Sequence, residues 1–192
     1  MNTPITQSQS WLAHAKEVPI RNANAACLCT LSPEGTPDGR IVLVKAITEK
    51  GFAFYTNSHS QKGRALAATP KASLVFYWDA LGRQLRVTGD VIGASKAESD
   101  AYFAERPRDS QIGAWASLQS EALPERADLS HRIASFEAQF LGGDVPRPPH
   151  WMGYWVVPQK IEFWTEKPFR LHERDVYHRQ LDGEWQLVTL YP

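Results

Sequence analysis

The sequence predicts a mainly β (α+β) fold, an antiparallel barrel with a few peripheral helices. Three observations predict it. Short apolar or alternating runs bounded by turn residues recur along most of the chain. The candidate helices are few and do not alternate with the strands, which excludes a doubly wound sheet. With 192 residues, 43% of them from the set AVILMFWYC, the chain can bury a sizeable core.

In order along the chain, residues 1–20 are polar, with a short amphipathic stretch at 11–15. They are expected to form a lead-in helix or segment ahead of a single domain over 21–192. A strand is expected at 26–31, then a turn over 32–35. The run 40–47 is rich in Ile, Val and Leu and reads as a strand that pairs with 52–56 in a hairpin. Ser60 can cap a helix over 60–68, and Pro70 stops it. Strands follow at 72–78 and 84–92. Ser95-Lys96-Ala97-Glu98 matches a capping box, so a helix is expected from Lys96 to about Arg106. Pro107 breaks it and suits the first turn of a second short helix through Trp115. Residues 129–141 carry Ile133, Phe136 and Phe140 at helical spacing, ended by Gly142-Gly143. The remainder returns to strands at 154–157, 161–164, 169–172, 176–180 and 184–190, with Asp182-Gly183 as a hairpin signal.

Lys+Arg and Asp+Glu both number 21, so the formal charge is zero. Sequence-independent nucleic-acid binding draws on excess cations, so it is not expected. No apolar run is long enough to span a bilayer, and the N-terminus lacks a secretion-signal pattern. Cys27 and Cys29 would project from one face of a strand, too close in sequence for a good disulfide. No second cysteine pair completes a zinc site, so no metal is expected. The counts favour a cytoplasmic protein without a membrane partner.

Several polar residues suggest chemistry. Arg40 and Lys45 flank Ile41, Val42, Leu43 and Val44. They are either solvated ends of a core strand or parts of an anion site. Their odd spacing turns them to opposite faces of a regular strand unless it bulges or they serve different ligands. Ser60-Gln61-Lys62-Gly63-Arg64 opens a helix, where free N–H groups attract phosphate; an ordinary solvated turn is the alternative. Tyr102, Arg106 and Ser110 recur every four residues, and the break at Pro107 would place Ser110 in the next first turn. They form a phosphate clamp or an exposed Arg beside a half-buried Tyr. In Arg170-Leu171-His172-Glu173-Arg174 strand alternation would put Arg170, His172 and Arg174 on one face, against an anionic or electron-rich ligand or on a protected edge. Of seven tryptophans, including Trp115, Trp151, Trp155 and Trp164, most suit a core or interface, and one or two can stack on a planar ring.

These motifs resemble the pyridoxamine 5′-phosphate oxidases over about residues 22–192. The resemblance is carried by Arg40-Ile-Val-Leu-Val-Lys45, Phe54-Tyr55-Thr56-Asn57, Arg83-Gln84 and the run from Tyr102 to Trp115. Gln119-Ser120, Glu162-Phe163-Trp164 and Arg170-Leu171-His172-Glu173-Arg174 complete it. It implies a split-barrel flavoprotein that binds FMN at a homodimer interface and oxidises a phosphorylated B6 vitamer with O2, in vitamin B6 salvage. By position, the FMN residues would be Arg40, Ile41, Val42, Leu43, Val44, Lys45, Tyr55, Thr56, Gln61, Lys62, Gln84, Gln119, Ser120, Trp164 and Arg174. The substrate residues would be Lys45, Tyr102, Arg106, Ser110, Arg170 and His172, the last two placing the pyridine ring for catalysis. Gln61 stands where the family often has a base, which implies a weaker phosphate contact. Arg21-Asn22-Ala23-Asn24 holds no carboxylate where many members have one, and the N-terminus lacks the longer members' covering segment. Two other readings stand beside this one: a related flavin oxidase of reduced, phenazine-like aromatics, and a flavin or pyridoxal phosphate carrier without turnover.

Overall fold

The computed structural model describes residues 3–192; Met1 and Asn2 of the expected lead-in segment lie outside the described residues. The lead-in forms a longer helix than its short amphipathic stretch suggests, α1 (Pro4–Glu17). Thr3 caps it by accepting the Thr6 N–H, and Pro4 takes the first turn, where no N–H is needed. Its Trp11 meets Phe163 edge-on at 4.9 Å and Trp78 at 6.4 Å, and with the buried Ile5 and Ala15 it docks the helix on the core.

Strands β1 (Ala25–Leu31) and β2 (Pro37–Leu43) form the first hairpin, with Cys27 opposite Ile41. Cys27 and Cys29 are free thiols, with sulfurs 3.9 Å apart on one face of β1. The expected strand over 40–47 is two strands. β2 ends at Leu43, and β3 (Ala46–Thr48) pairs instead with β4 (Gly51–Asn57). At the corner Val44 N–H donates to Asn24 O, and Lys45 N–H donates to Ala53 O. An unbroken Ile/Val run suits either partner, so hydropathy leaves the change of partner unmarked.

Helix α2 (Gln61–Ala68) starts at Ser60, whose Oγ accepts the Gly63 N–H. β5 (Lys71–Trp78) and β6 (Arg83–Gly93) follow, joined through Gly82 at φ +56°. α3 (Lys96–Ala104) has the full capping box between Ser95 and Glu98. α4 (Arg108–Ala116) begins after Pro107, as the proline requires, and α5 (Arg126–Gln139) packs on α4.

The strands expected at 154–157 and 161–164 are one, β7 (Trp151–Thr165). It pairs with β6 along its length, with β4 over 151–156, and with β8 (Glu173–Arg179) over 160–165. Pro158 sits at a bulge where the register shifts at Thr88/Gly89, so it interrupts the ladder without ending the strand. Gly89 is needed there, because a Cβ would lie 1.9 Å from Val157 O. β9 (Trp185–Leu190) closes a hairpin on β8 through Gly183 at φ +89°. The strand expected at 169–172 is instead a 3-10 turn at Pro168–Arg170, closed by Leu171 N–H to Pro168 O. Phe169 (φ 60°) and Arg170 (φ 62°) are left-handed, a geometry no strand contains. Arg170 and His172 therefore precede β8 and do not share a strand face with Arg174.

The sheet order is β2-β1-β5-β6-β7-β4-β3, with β8 and β9 added beside β7. Its two end strands, β2 and β3, are joined by Val44-Lys45, so the antiparallel sheet must curl back on itself into a split barrel. Leu28, Phe52, Phe54, Leu74, Phe76, Leu85, Val87 and Ile161 fill it. Each such side chain contributes about 1.5–3 kcal/mol by burial. Phe103, Ile112, Val145 and Trp151 form a second cluster under α3–α5. No helix among the described residues is long and apolar enough to cross a membrane.

Glu98 ties α3 to the sheet: it accepts from the Ser95 N–H, Lys50 Nζ and Trp155 Nε1. The bond from Lys50 first, and then those of Ser95, hold its carboxyl at about 2, below the usual 4.5. The stability it contributes is present above pH 4.5 and is lost as pH falls through about 2. Glu98→Gln should therefore lower the thermal midpoint at pH 7, and the gap to wild type should narrow below pH 4.5. A gap independent of pH in scanning calorimetry would contradict this account.

Candidate active site

A cleft of about 470 Å³ opens where β2, β4, α2, α3 and α4 meet. Ile41, Val42, Leu43 and the corner residue Lys45 line one side; Tyr55 and Thr56 of β4 and Lys62 of α2 line another. α3 ends at Ala104, short of Arg106, and the break before Pro107 brings Tyr102 of its last turn, Arg106 in the link and Ser110 in the first turn of α4 onto the same cleft. The corner at Val44-Lys45 resolves the spacing problem of Arg40 and Lys45, because Lys45 lies outside the strand.

Cations outnumber carboxylates on these walls: Lys45, Lys62 and Arg106 against Glu105. Arg106 is half-buried; its Nη1 is buried without a hydrogen-bond partner. Burial pushes its pKa down, with Tyr102 opposing. Lys62 Nζ reaches Gln119 Oε1 at 3.1 Å, Ser60 Oγ at 3.3 Å and Thr56 Oγ1 at 3.4 Å, all neutral. Burial and then the charge of Arg40 push its pKa down. Tyr55 and Tyr102 stack at 4.2 Å, with Lys45 Nζ 5.8 Å from the Tyr102 ring. Tyr55 can lie flat because its cross-strand neighbour is Gly153, where a Cβ would come within 2.6 Å of the ring.

Other predicted site residues lie beside this cleft. Arg40 bonds Leu28 O, Thr30 Oγ1 and Asp38. Val44 buries its side chain in the core, so it supports the wall rather than lining it. Gln61 is exposed on the first turn of α2, and Ser120 (φ 73°) lies in the loop after α4.

A second cluster gathers at the far end of β7. Gln84 faces Trp164 across β6 and β7, and Trp164 faces Arg174. The His172 ring lies 4.6 Å from Trp164, and its Nδ1 accepts the Lys167 N–H at 3.3 Å. In the neutral ring the proton is thus on Nε2, facing outward from that contact. Arg170 is exposed on its strained turn. Trp151 and Trp164 stand near opposite ends of β7, on the order of 40 Å apart along the strand at about 3.3 Å per residue. Arg106 packs on Trp151 at one end of β7, and His172 packs on Trp164 near the other.

Three residues of these clusters escaped the sequence-based assignment. Trp151 and Glu105 line the cleft. Glu162, 3% exposed, accepts from Arg174 Nε at 2.9 Å and from Arg86 Nη1 at 3.1 Å. Its legible signals were a carboxylate in an apolar strand segment and its place in the Glu162-Phe163-Trp164 motif, neither of which gave it a role.

The fold defines a split-barrel protein whose cleft carries more cations than carboxylates on its walls. Among solved structures the chain is similar to PhzG from Burkholderia lata 383 in complex with tetrahydrophenazine-1-carboxylic acid: TM-score 0.94, 33% identity, 100% of this chain and 94% of that one. It shares its fold with a pyridoxamine 5′-phosphate oxidase-related, FMN binding protein from Nostoc punctiforme: TM-score 0.79, 17% identity, 99% and 98% covered. The family model for pyridoxamine 5′-phosphate oxidase matches residues 12–140, and that for the pyridoxine 5′-phosphate oxidase C-terminal dimerisation region matches residues 151–192. Pyridoxine/pyridoxamine 5′-phosphate oxidases from Azorhizobium caulinodans (49% identical; 98% of this chain, 90% of the relative) and Rhodospirillum rubrum (50%; 98% and 96%) are similar throughout. The chain belongs to the pyridoxamine 5′-phosphate oxidase family.

Proposed function

We propose that the chain is an FMN-dependent oxidase that converts pyridoxamine 5′-phosphate or pyridoxine 5′-phosphate to pyridoxal 5′-phosphate, with O2 as electron acceptor. The observation that carries this reading is Arg106, a guanidinium with a buried, partnerless Nη1 on a cation-rich wall. A buried cation without a counter-charge is costly until an anion completes it. Lys45, Tyr102 and Ser110 line the same cleft and would share the substrate phosphate with it. Remote phosphate binding then serves to orient the reacting carbon.

Lys62 and Arg40 form a second cationic place, which fits the FMN phosphate. Ile41, Val42, Leu43, Val44 and Lys45 would hold the cofactor with Tyr55, Thr56, Gln61, Gln119 and Ser120. Gln84, Trp164 and Arg174 would hold it from the second cluster, where Glu162 keeps Arg174 in place. Arg170 and His172 would position the pyridine ring. FMN, when bound, would supply the redox chemistry: the substrate would lose a hydride from C4′ and a proton from its nitrogen or oxygen, and two electrons and two protons would go to O2 as H2O2. The amine substrate leaves an imine that water splits to aldehyde and ammonia; the alcohol gives the aldehyde directly.

A homodimer would unite the two clusters. By strand register, Ile41, Leu43, Tyr77 and Leu190 share the outer face that carries Gln84, Trp164 and Arg174, and all four are exposed. An apolar sheet face of this extent favours a partner, and the matched dimerisation region includes β7, β8 and β9. Facing copies can present the cleft of one to the second cluster of the other.

Purified protein given FMN and pyridoxine 5′-phosphate in air should form pyridoxal 5′-phosphate and H2O2 in equal amounts. Formation of neither overturns the reading. The likeness to PhzG favours a second reading, oxidation of a reduced, phenazine-like aromatic acid. Turnover of such an acid, with no turnover of phosphorylated vitamers, would select it.

A further inference from the structure

We propose that Trp151 is a positioning residue that sets the affinity for the substrate phosphate by holding Arg106 and Tyr102 in place. This rests on the phosphate clamp proposed above. Trp151 opens β7 and donates its backbone N–H to Pro148 O. Its ring is 6% exposed yet lines the cleft. Phe103 meets it edge-on at 5.1 Å and fixes its plane. Tyr55 at 5.3 Å and Tyr102 at 6.1 Å lie within 11° of parallel to it. The Arg106 guanidinium sits 4.9 Å from its ring centroid and 5.6 Å from that of Phe103.

No acidic side chain forms an ion pair with Arg106 among the described residues. The Arg106 side chain is therefore held chiefly by aromatic faces. A cation over an indole is attracted to the ring without hydrogen-bonding to it. The donors of Arg106 thus remain available to a phosphate while its position is kept. A carboxylate partner would hold the guanidinium as well but would compete with the phosphate for the same N–H groups. The indole also sets the plane of Tyr102, a second member of the clamp. An ordinary core tryptophan would affect stability alone; this one faces two ligand-binding side chains.

The test compares binding of pyridoxal 5′-phosphate and of pyridoxal to the FMN-loaded protein by equilibrium dialysis. Trp151→Leu should weaken the phosphorylated ligand about tenfold, between the sizes of an exposed and a fully desolvated cation–π contact, and leave pyridoxal within about twofold. Trp151→Phe should restore most of the loss. In steady state the same variants should raise KM for pyridoxine 5′-phosphate with little change in kcat. Should Trp151→Leu not fold, a loss of about threefold in Trp151→Phe, confined to the phosphorylated ligand, carries the claim. Equal losses for both ligands, or unchanged affinity in Trp151→Leu, would overturn it. A wild-type protein that does not prefer the phosphorylated ligand would instead overturn the clamp itself.

Discussion

Arg106→Leu should lower kcat/KM for pyridoxine 5′-phosphate by a factor of about a hundred to a thousand, as expected when a desolvated charge-assisted contact worth about 3–4 kcal/mol is removed. The loss is large because the cleft offers the phosphate no equivalent donor set: Lys45 is a point charge on an exposed corner, whereas Arg106 is half-buried and already positioned. FMN retention should change little, since the cofactor phosphate is assigned to Lys62 and Arg40, which are not members of this clamp. The ligand-free variant should also be at least as stable as wild type. Leucine removes a desolvated cation and its partnerless Nη1 while keeping apolar contact with Trp151 and Phe103. Steady-state kinetics, flavin absorbance and thermal unfolding read the three outcomes. A kcat/KM within threefold of wild type would remove Arg106 from the clamp.

The second large effect is a rescue between two damaged proteins. Arg170→Ala should lower turnover far more than it lowers FMN affinity, because the residue is assigned to the pyridine ring. Arg170→Ala and Arg106→Leu should each be nearly inactive alone. After subunit exchange, about a quarter of wild-type activity should return: half of the dimers are mixed, and each mixed dimer has one intact site. The expectation follows from the length of β7, which separates the two residues within a chain. The exposed, left-handed turn at Phe169 and Arg170 fits a segment whose contacts lie in another copy. Differently tagged subunits report the exchange. Mixed dimers without recovered activity would show that the clamp and the ring-positioning residues do not act across copies.

How much was legible depended on how local each cause is. Ser60, the Ser95/Glu98 capping box, the break at Pro107 and the turn at Gly183 act within a few residues, and each stands where its pattern places it. The clamp spacing of Tyr102, Arg106 and Ser110 is equally local, and the cleft gathers all three. The continuity of β7 through Pro158 was not legible, because it depends on pairing with the distant β6, where Gln159 is the extra residue between the Thr88–Lys160 and Gly89–Pro158 pairs. Nor was the separation of β2 from β3, where an Ile/Val run changes partner without changing composition. Alternation misplaced Arg170 and His172 because a polar–apolar pattern over five residues also fits an irregular turn.

Residue order alone was enough for the class of fold, the caps and turns, and the motifs that mark the family, since these follow from side-chain chemistry over short spans. The distribution of the site into two clusters, the aromatic wall behind Arg106 and the Arg86–Glu162–Arg174 triad came from strand pairing. Pairing sets which distant residues meet, and its free energy is summed over a whole curled sheet, so no short stretch of sequence encodes it.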